Sequence, residues 1–200
     1  MSKRWVKERK HNGYYKQAKK AGYRSRSAYK LKQMNDRYQI ISPKDTVIDL
    51  GAAPGGWLQV AREIVGPKGM VIGVDIQKIE PLEGVTVLKG DMTKSEALDK
   101  LRLLVKKADV VISDMSPNIT GNYSMDHARS VGLAEKALET AVVLLREQGN
   151  FLVKVFQGDL YEDYLDKIKS SFRFTKAHSP KASRKSSSEM YIIGKDYTGL

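Results

Sequence analysis

Four aspartates and one lysine stand where this chain can do chemistry. Asp49 opens DLGAAPGG (49–56), Asp75 closes MVIGVD, Asp91 closes VTVLKGD and Asp114 follows ADVVIS, while Lys154 sits inside GNFLVKVFQG (149–158). A lysine in an apolar run is costly, because stripping water from an ammonium costs several kcal/mol unless something compensates. Side chains alternate along a strand, so Phe151, Val153 and Val155 face one way and Leu152, Lys154 and Phe156 the other. Either Lys154 snorkels from a strand end to water, or the amine is kept there for a purpose.

The aspartates suggest a nucleoside ligand. In DLGAAPGG, glycines after a strand let the backbone turn tightly and approach a ligand closely. Asp75 lies 24 residues after Gly51, at the end of the next strand, where a carboxylate can accept both hydroxyls of a ribose. Asp91 could accept from an adenine amino group beside that ribose. Dinucleotide and S-adenosylmethionine sites share this much. The G-x-G-x-x-G pattern of the former is broken by Ala53. Several carboxylates together suit a sulfonium cation and would repel a pyrophosphate, which favours S-adenosylmethionine.

The elements that must hold these residues alternate in period. Residues 25–40 read as a helix behind a serine able to cap it, and 46–50 as a short β-branched strand followed by the glycine loop and a helix to about Val65. Strands are predicted at 70–75, 85–91 and 108–114, with a helix at 94–107 between the last two. A long helix over 127–149, stopped by Gly149, leads into the lysine strand. A helix at 160–172 and two strands, 172–178 and 189–196, complete the chain. Such alternation predicts an α/β doubly wound domain, a mostly parallel sheet with helices on both faces, closed by a C-terminal hairpin. Ligands in such sheets bind beyond the carboxyl ends of the strands, where strand order reverses. Those are the ends carrying the aspartates and the lysine.

Composition limits the options. The 200 residues are 41% hydrophobic and 29% charged, and no apolar run approaches the roughly 20 residues needed to span a bilayer. MSKRWVKERK lacks the apolar centre of a secretory signal, which with the absence of cysteine reads as a cytoplasmic protein. His11, His127 and His178 lie too far apart to suggest a metal site. Net charge is +12, and it is segregated: residues 1–37 hold thirteen Lys or Arg against two acids, the remaining 163 hold 22 against 21. Trp5, Tyr14, Tyr15, Tyr23 and Tyr29 interleave with the basic residues. Cations take phosphates and rings take unstacked bases, so residues 1–24 read as a basic RNA-binding arm and 25–200 as the catalytic domain. A solvated tail that aids solubility is the plainer alternative.

Taken together and in order, RSRSAYKL (24–31), DLGAAPGGW (49–57), SDMSPN (113–118), FLVKVFQG (151–158) and SSSEMYIIG (186–194) resemble the FtsJ/RrmJ family of S-adenosylmethionine-dependent RNA ribose 2′-O-methyltransferases, from about residue 20 to the C-terminus. The resemblance implies a Rossmann-like methyltransferase fold with a seven-stranded, mostly parallel sheet. It implies a catalytic tetrad of Lys30, Asp114, Lys154 and Glu189, and cofactor contacts from Gly55, Trp57, Asp75, Asp91 and Asp114. Without it, Lys30 would read as an exposed helix lysine, Glu189 as an offset for neighbouring basic residues and Asp114 as a turn cap. It also implies an RNA partner, a uridine of large-subunit (23S) ribosomal RNA, as RNA or in a ribosomal precursor particle, ahead of tRNA, and a monomer.

The chemistry gives these residues work. A ribose hydroxyl is a poor nucleophile while it keeps its proton, so a base and in-line placement are needed. Lys154 would take or polarise that proton, Asp114 would orient it, and Lys30 and Glu189 would place the ribose. SDMSPN has no aromatic to stack a flipped base, which favours a ribose over a base nitrogen as target. A ribose 2′-hydroxyl in turn means RNA. The competing readings are a catalytically silent RNA-binding protein of the same fold and a nicotinamide-dependent dehydrogenase.

Overall fold

The computed structural model describes residues 13–183 and 188–199. Residues 1–12 of the basic arm, Trp5 among them, lie outside the described residues, as do residues 184–187 of the SSSEMY approach. The arm's remainder is partly ordered: Gly13–Lys20 forms helix α1, which buries Ala18. Tyr29 stands 5.7 Å from both Tyr14 and Tyr23, ring centre to ring centre.

The elements follow as α2 (Ala28–Tyr38), β1 (Thr46–Leu50), α3 (Gly56–Val65), β2 (Met70–Asp75), β3 (Thr86–Lys89), α4 (Ser95–Leu104), β4 (Ala108–Ser113), α5 (Tyr123–Leu144), β5 (Leu145–Phe156), α6 (Tyr161–Ser171), β6 (Phe172–His178) and β7 (Glu189–Tyr197). They build one seven-stranded sheet in the order β3-β2-β1-β4-β5-β7-β6. Strands β1 to β5 are parallel, and β7 runs antiparallel between β5 and β6. Strand order therefore reverses between β1 and β4. The doubly wound sheet and the closing hairpin expected from the periodicity are both present.

Alternating strand residues feed two cores. Val47, Val110, Ile112, Leu152, Tyr191 and Ile193 face α2 and α3, which contribute Leu31, Met34, Trp57, Leu58 and Ala61. Ile48, Val111, Phe151, Val153 and Ile192 face α4, α5 and α6 through Leu101, Ala134, Ala141, Tyr164 and Ile168. Leu152 and Phe151 thus enter opposite cores, as strand alternation requires.

The helix expected over 94–107 ends at Leu104 and the strand expected over 85–91 narrows to Thr86–Lys89, but the larger shift is at the long helix. The helix expected over 127–149 runs instead from Tyr123 to Leu144. It begins earlier because Asn122 caps it, its side chain accepting from the Met125 amide at 3.1 Å. It ends earlier because Leu145 pairs with Ala108 of β4, and the chain then bulges before Asn150 rejoins Val110. Gln148, at φ +63°, lies within that bulge. The serine at the start of α2, Ser27, makes no capping hydrogen bond; its hydroxyl lies 2.6 Å from that of Ser25. Among the described residues no helix is long and apolar enough to cross a membrane.

Candidate active site

Sheet register sets the site. Ser113 of β4 is level with Val153 of β5, so Asp114, one residue on, meets Lys154. On the other side of β5, Lys154 pairs with Tyr191 and Phe156 with Glu189 of β7. Lys154 is only 5% exposed. Its Nζ donates to the Asp114 carbonyl at 2.7 Å and lies 3.1 Å from Asp114 Oδ1. Two of the amine's positions are thereby filled, leaving one. The lysine does not snorkel to water.

Lys30, also 5% exposed, arrives from α2, which covers the sheet face that Leu152 and Tyr191 enter. Its Nζ donates to Glu189 Oε2 at 2.7 Å and to the Tyr191 hydroxyl at 3.0 Å. The Tyr191 hydroxyl in turn donates to Asp114 Oδ1 at 2.8 Å. All four residues of the expected tetrad are therefore joined, and Tyr191 is the link between the two pairs. Sequence reasoning passed over Tyr191 although SSSEMYIIG contains it. Two residues from Glu189 on a strand, it had to share that face.

The electrostatics follow from this packing. Burial alone would push the Asp114 carboxyl up, but the ammonium groups of Lys154 and Lys30 and the Tyr191 hydroxyl outweigh it and hold the carboxyl below the ordinary carboxylate range. Burial, with Asp114 and Glu189 nearby, pushes the Tyr191 phenol well above its ordinary value, so it remains a donor.

Lys30 is held in place by the glycine loop and its helix. Gln59 of α3 accepts the Arg24 amide at 2.8 Å and donates to the Gly22 carbonyl at 3.0 Å. The Trp57 indole donates to the Ser27 carbonyl at 2.8 Å, and its ring lies 6.0 Å from Tyr191. The Arg24 guanidinium donates to the carbonyls of Pro54 (3.3 Å), Glu80 (2.7 Å) and Pro81 (2.7 Å). Gly55, at φ +107°, lets this segment approach, since a Cβ there would meet Arg24 Nη1 at 2.9 Å.

Beside the network lies a cavity of about 270 Å³, lined by Gly51, Asp75, Asp91, Asp114, Met115 and Asn118 among others. Asp75 Oδ2 accepts the Ala53 amide at 2.9 Å and Oδ1 the Gln77 amide at 2.8 Å, which orients its remaining lone pairs. Asp91 Oδ1 accepts from both the Thr93 hydroxyl (2.7 Å) and amide (2.9 Å), which hold its carboxyl below the usual range. Gly51, at φ +76°, has no room for a side chain, because a Cβ would fall 2.5 Å from Met115 Cγ. Asp75, Asp91 and Asp114 are thus brought together around one cavity. Gly55 and Trp57 are not part of its lining; Trp57 is 3% exposed and faces the core that α2 and α3 cover.

Asp49 is fully buried in β1, and neither carboxylate oxygen has a hydrogen-bond partner among the described residues. Burial, then Asp114 and Asp75, push its carboxyl well above the ordinary value. Asp91 and Asp114, the cavity acids held below the ordinary carboxylate range, suit a cationic ligand and would oppose a pyrophosphate.

The strand order, the inserted antiparallel β7 and the acid-lined cavity at the reversal of strand order define a Rossmann-like, S-adenosylmethionine-dependent methyltransferase fold. Residues 23–197 match the FtsJ-like methyltransferase family, and the chain belongs to that family. Among curated proteins, it is 53% identical over 203 residues to Ribosomal RNA large subunit methyltransferase E of Methanocaldococcus jannaschii, covering 98% of this chain and 83% of that protein. The namesake from Methanothrix thermoacetophila is 56% identical over 183 residues, covering 91% and 71%. Among solved structures, a Plasmodium falciparum protein described as a ribosomal RNA methyltransferase superposes with a TM-score of 0.80 at 26% identity, covering 89% of this chain and all of that one. Aeropyrum pernix fibrillarin, solved with natively bound S-adenosylmethionine, shares the fold at a TM-score of 0.59 and 16% identity, covering 86% and 75%.

Proposed function

We propose that this protein is an S-adenosylmethionine-dependent ribose 2′-O-methyltransferase that modifies a uridine of large-subunit ribosomal RNA in the cytoplasm. The observation that carries the reading is the continuous chain of contacts Lys154–Asp114–Tyr191–Lys30–Glu189 beside an acid-lined cavity. The relatives named for large-subunit rRNA support the substrate class.

S-adenosylmethionine supplies an electrophilic methyl group when bound. Asp75 and Asp91 are the residues to accept from its ribose and adenine, and the charge of Asp114 and the neighbouring acids suits its sulfonium. Gly55 and Trp57 serve that site by shaping the loop and the start of α3. Lys154 in its neutral form, with two N–H groups donated to Asp114 and a lone pair at the third position, is the group to take the 2′-hydroxyl proton. Asp114 aims Lys154, Tyr191 fixes Asp114, and the Lys30–Glu189 pair places the substrate ribose. The basic segment 1–24 supplies phosphate contacts.

The direct test is transfer of labelled methyl to deproteinised large-subunit rRNA, digestion to nucleosides, and mapping against tRNA as competitor. A 2′-O-methyluridine product that vanishes in Lys154→Met, with at least a hundredfold loss of kcat and retained S-adenosylmethionine and RNA binding, is the expected result. A base-methylated product, or near-normal turnover by Lys154→Met, would overturn the assignment.

A further inference from the structure

The loop between β4 and α5 carries a feature that the chemistry of the site leaves unused. Tyr123, the first residue of α5, is 61% exposed, and Ile119 and Met125 beside it are 63% and 45% exposed. Isolated exposed apolar residues are ordinary. This ring is different because it is held rigidly.

The Tyr123 hydroxyl donates to the Gln157 carbonyl at 2.7 Å. One ring face lies nearly parallel to His127, at 14° with centres 6.4 Å apart. His127 is itself locked: its Nε2 accepts the Leu160 amide at 3.0 Å, and Nδ1 lies 3.1 Å from the Phe156 carbonyl. The loop leading to Tyr123 is pinned too, since the Asp126 carboxylate accepts from the Thr120 amide and hydroxyl and from the Gly121 amide. An aromatic ring fixed in this way loses little entropy when a partner covers it.

The anchor ties the ring to the end of the strand pair that carries the network. The Gln157 amide donates to the Ser188 carbonyl at 2.9 Å, immediately before Glu189. Gln157 itself follows Lys154 by three residues, roughly 10 Å along an extended strand.

Resting on the RNA methyltransferase reading above, we infer that Tyr123 is a stacking platform for the unpaired base of a nucleotide flanking the methylated ribose, with Ile119 and Met125 as apolar shoulders. An RNA base meets the requirement of a flat, apolar face with a polar edge, and single-stranded RNA is recognised by such stacking. The ring stands about one strand end away from Lys154, which suits a neighbouring nucleotide rather than the reacting one. SDMSPN has no aromatic residue, and the exposed ring enters at the helix that follows it.

The test compares the parent with Tyr123→Ala, Tyr123→Leu and Tyr123→Trp in methyl transfer to deproteinised large-subunit rRNA, alongside S-adenosylmethionine binding by calorimetry and thermal melting. Loss of a stacked base predicts that Tyr123→Ala and Tyr123→Leu raise KM for RNA about 5- to 150-fold, the range that corresponds to the ~1–3 kcal/mol of base–aromatic stacking. Tyr123→Trp should restore most of that loss, and S-adenosylmethionine affinity and Tm should hold. If Tyr123→Leu binds RNA as the parent does, or Tyr123→Ala changes KM less than twofold, the platform is wrong while the activity stands. If the parent methylates no RNA, the functional reading fails and the platform falls with it.

Discussion

Two residues that were not singled out as catalytic bear most on how the site works. Tyr191 ties Asp114 to Lys30, so Tyr191→Phe removes one donor to a buried carboxylate and one acceptor from a buried ammonium. The expected outcome is a stability loss of about 1–3 kcal/mol and a kcat reduced about tenfold or more with little change in KM for S-adenosylmethionine, measured by melting and by steady-state kinetics. Asp49 acts in the opposite sense. Its carboxyl is raised when folded, so its contribution is fully present only below the unfolded value near 3.9, and stability falls as pH rises from there through the folded value. Asp49→Asn should therefore raise the Tm of the unliganded protein, negligibly near pH 4 and increasingly toward pH 8. A gain of about 1 kcal/mol corresponds to about 2–4 °C. The same change should weaken S-adenosylmethionine binding. A Tm that drops at pH 8 would show that the acid is not an unpaired cost.

At the scale of elements, the glycine loop serves the protein itself as well as the proposed cofactor site. Its glycines admit Arg24 and Met115 as close neighbours, and α3 holds the segment that delivers Lys30. Gln59 carries two of these ties, so Gln59→Ala leaves the Arg24 amide and the Gly22 carbonyl without their partner. The cost should be about 1–3 kcal/mol, concentrated in faster hydrogen exchange at the Arg24 amide, with a several-fold fall in kcat and unchanged S-adenosylmethionine affinity. Unaltered exchange at Arg24 would mean that the segment is held by Trp57 and the Arg24 side chain alone.

For the whole molecule, the proposed RNA-binding arm makes charge segregation the feature to test in the encounter with RNA. Part of the basic excess lies on α1, where Lys16, Lys19 and Lys20 are exposed. Cations on phosphates release counterions, so log affinity for RNA should fall linearly with log salt. Replacing these three lysines by alanine should lower that slope by about 2, using the single-strand value of about 0.7 per phosphate, and leave S-adenosylmethionine affinity alone. A slope that does not change on substitution would place the RNA track elsewhere.

Local pattern determined much of this protein. Short apolar runs mark the strands and period-3.6 runs mark the helices from α2 onward, though α1 and the start of β5 carry no such mark, and Asp75, Asp91, Asp114 and Lys154 stand out as polar residues at strand ends. The tertiary structure decided how distant elements meet. It inserted β7 between β5 and β6, which set Tyr191 against Lys154 and Glu189 against Phe156. It brought Lys30 to a carboxylate 159 residues away, an assignment reached earlier only through family motifs. It turned Trp57 into the core under α2 and α3 and ended the long helix at Leu144 so that Leu145 could pair with Ala108. The division has a physical cause. Propensity and amphipathic period act over a few residues, whereas strand order and register are fixed by burial on both faces of a sheet, which only the folded chain provides.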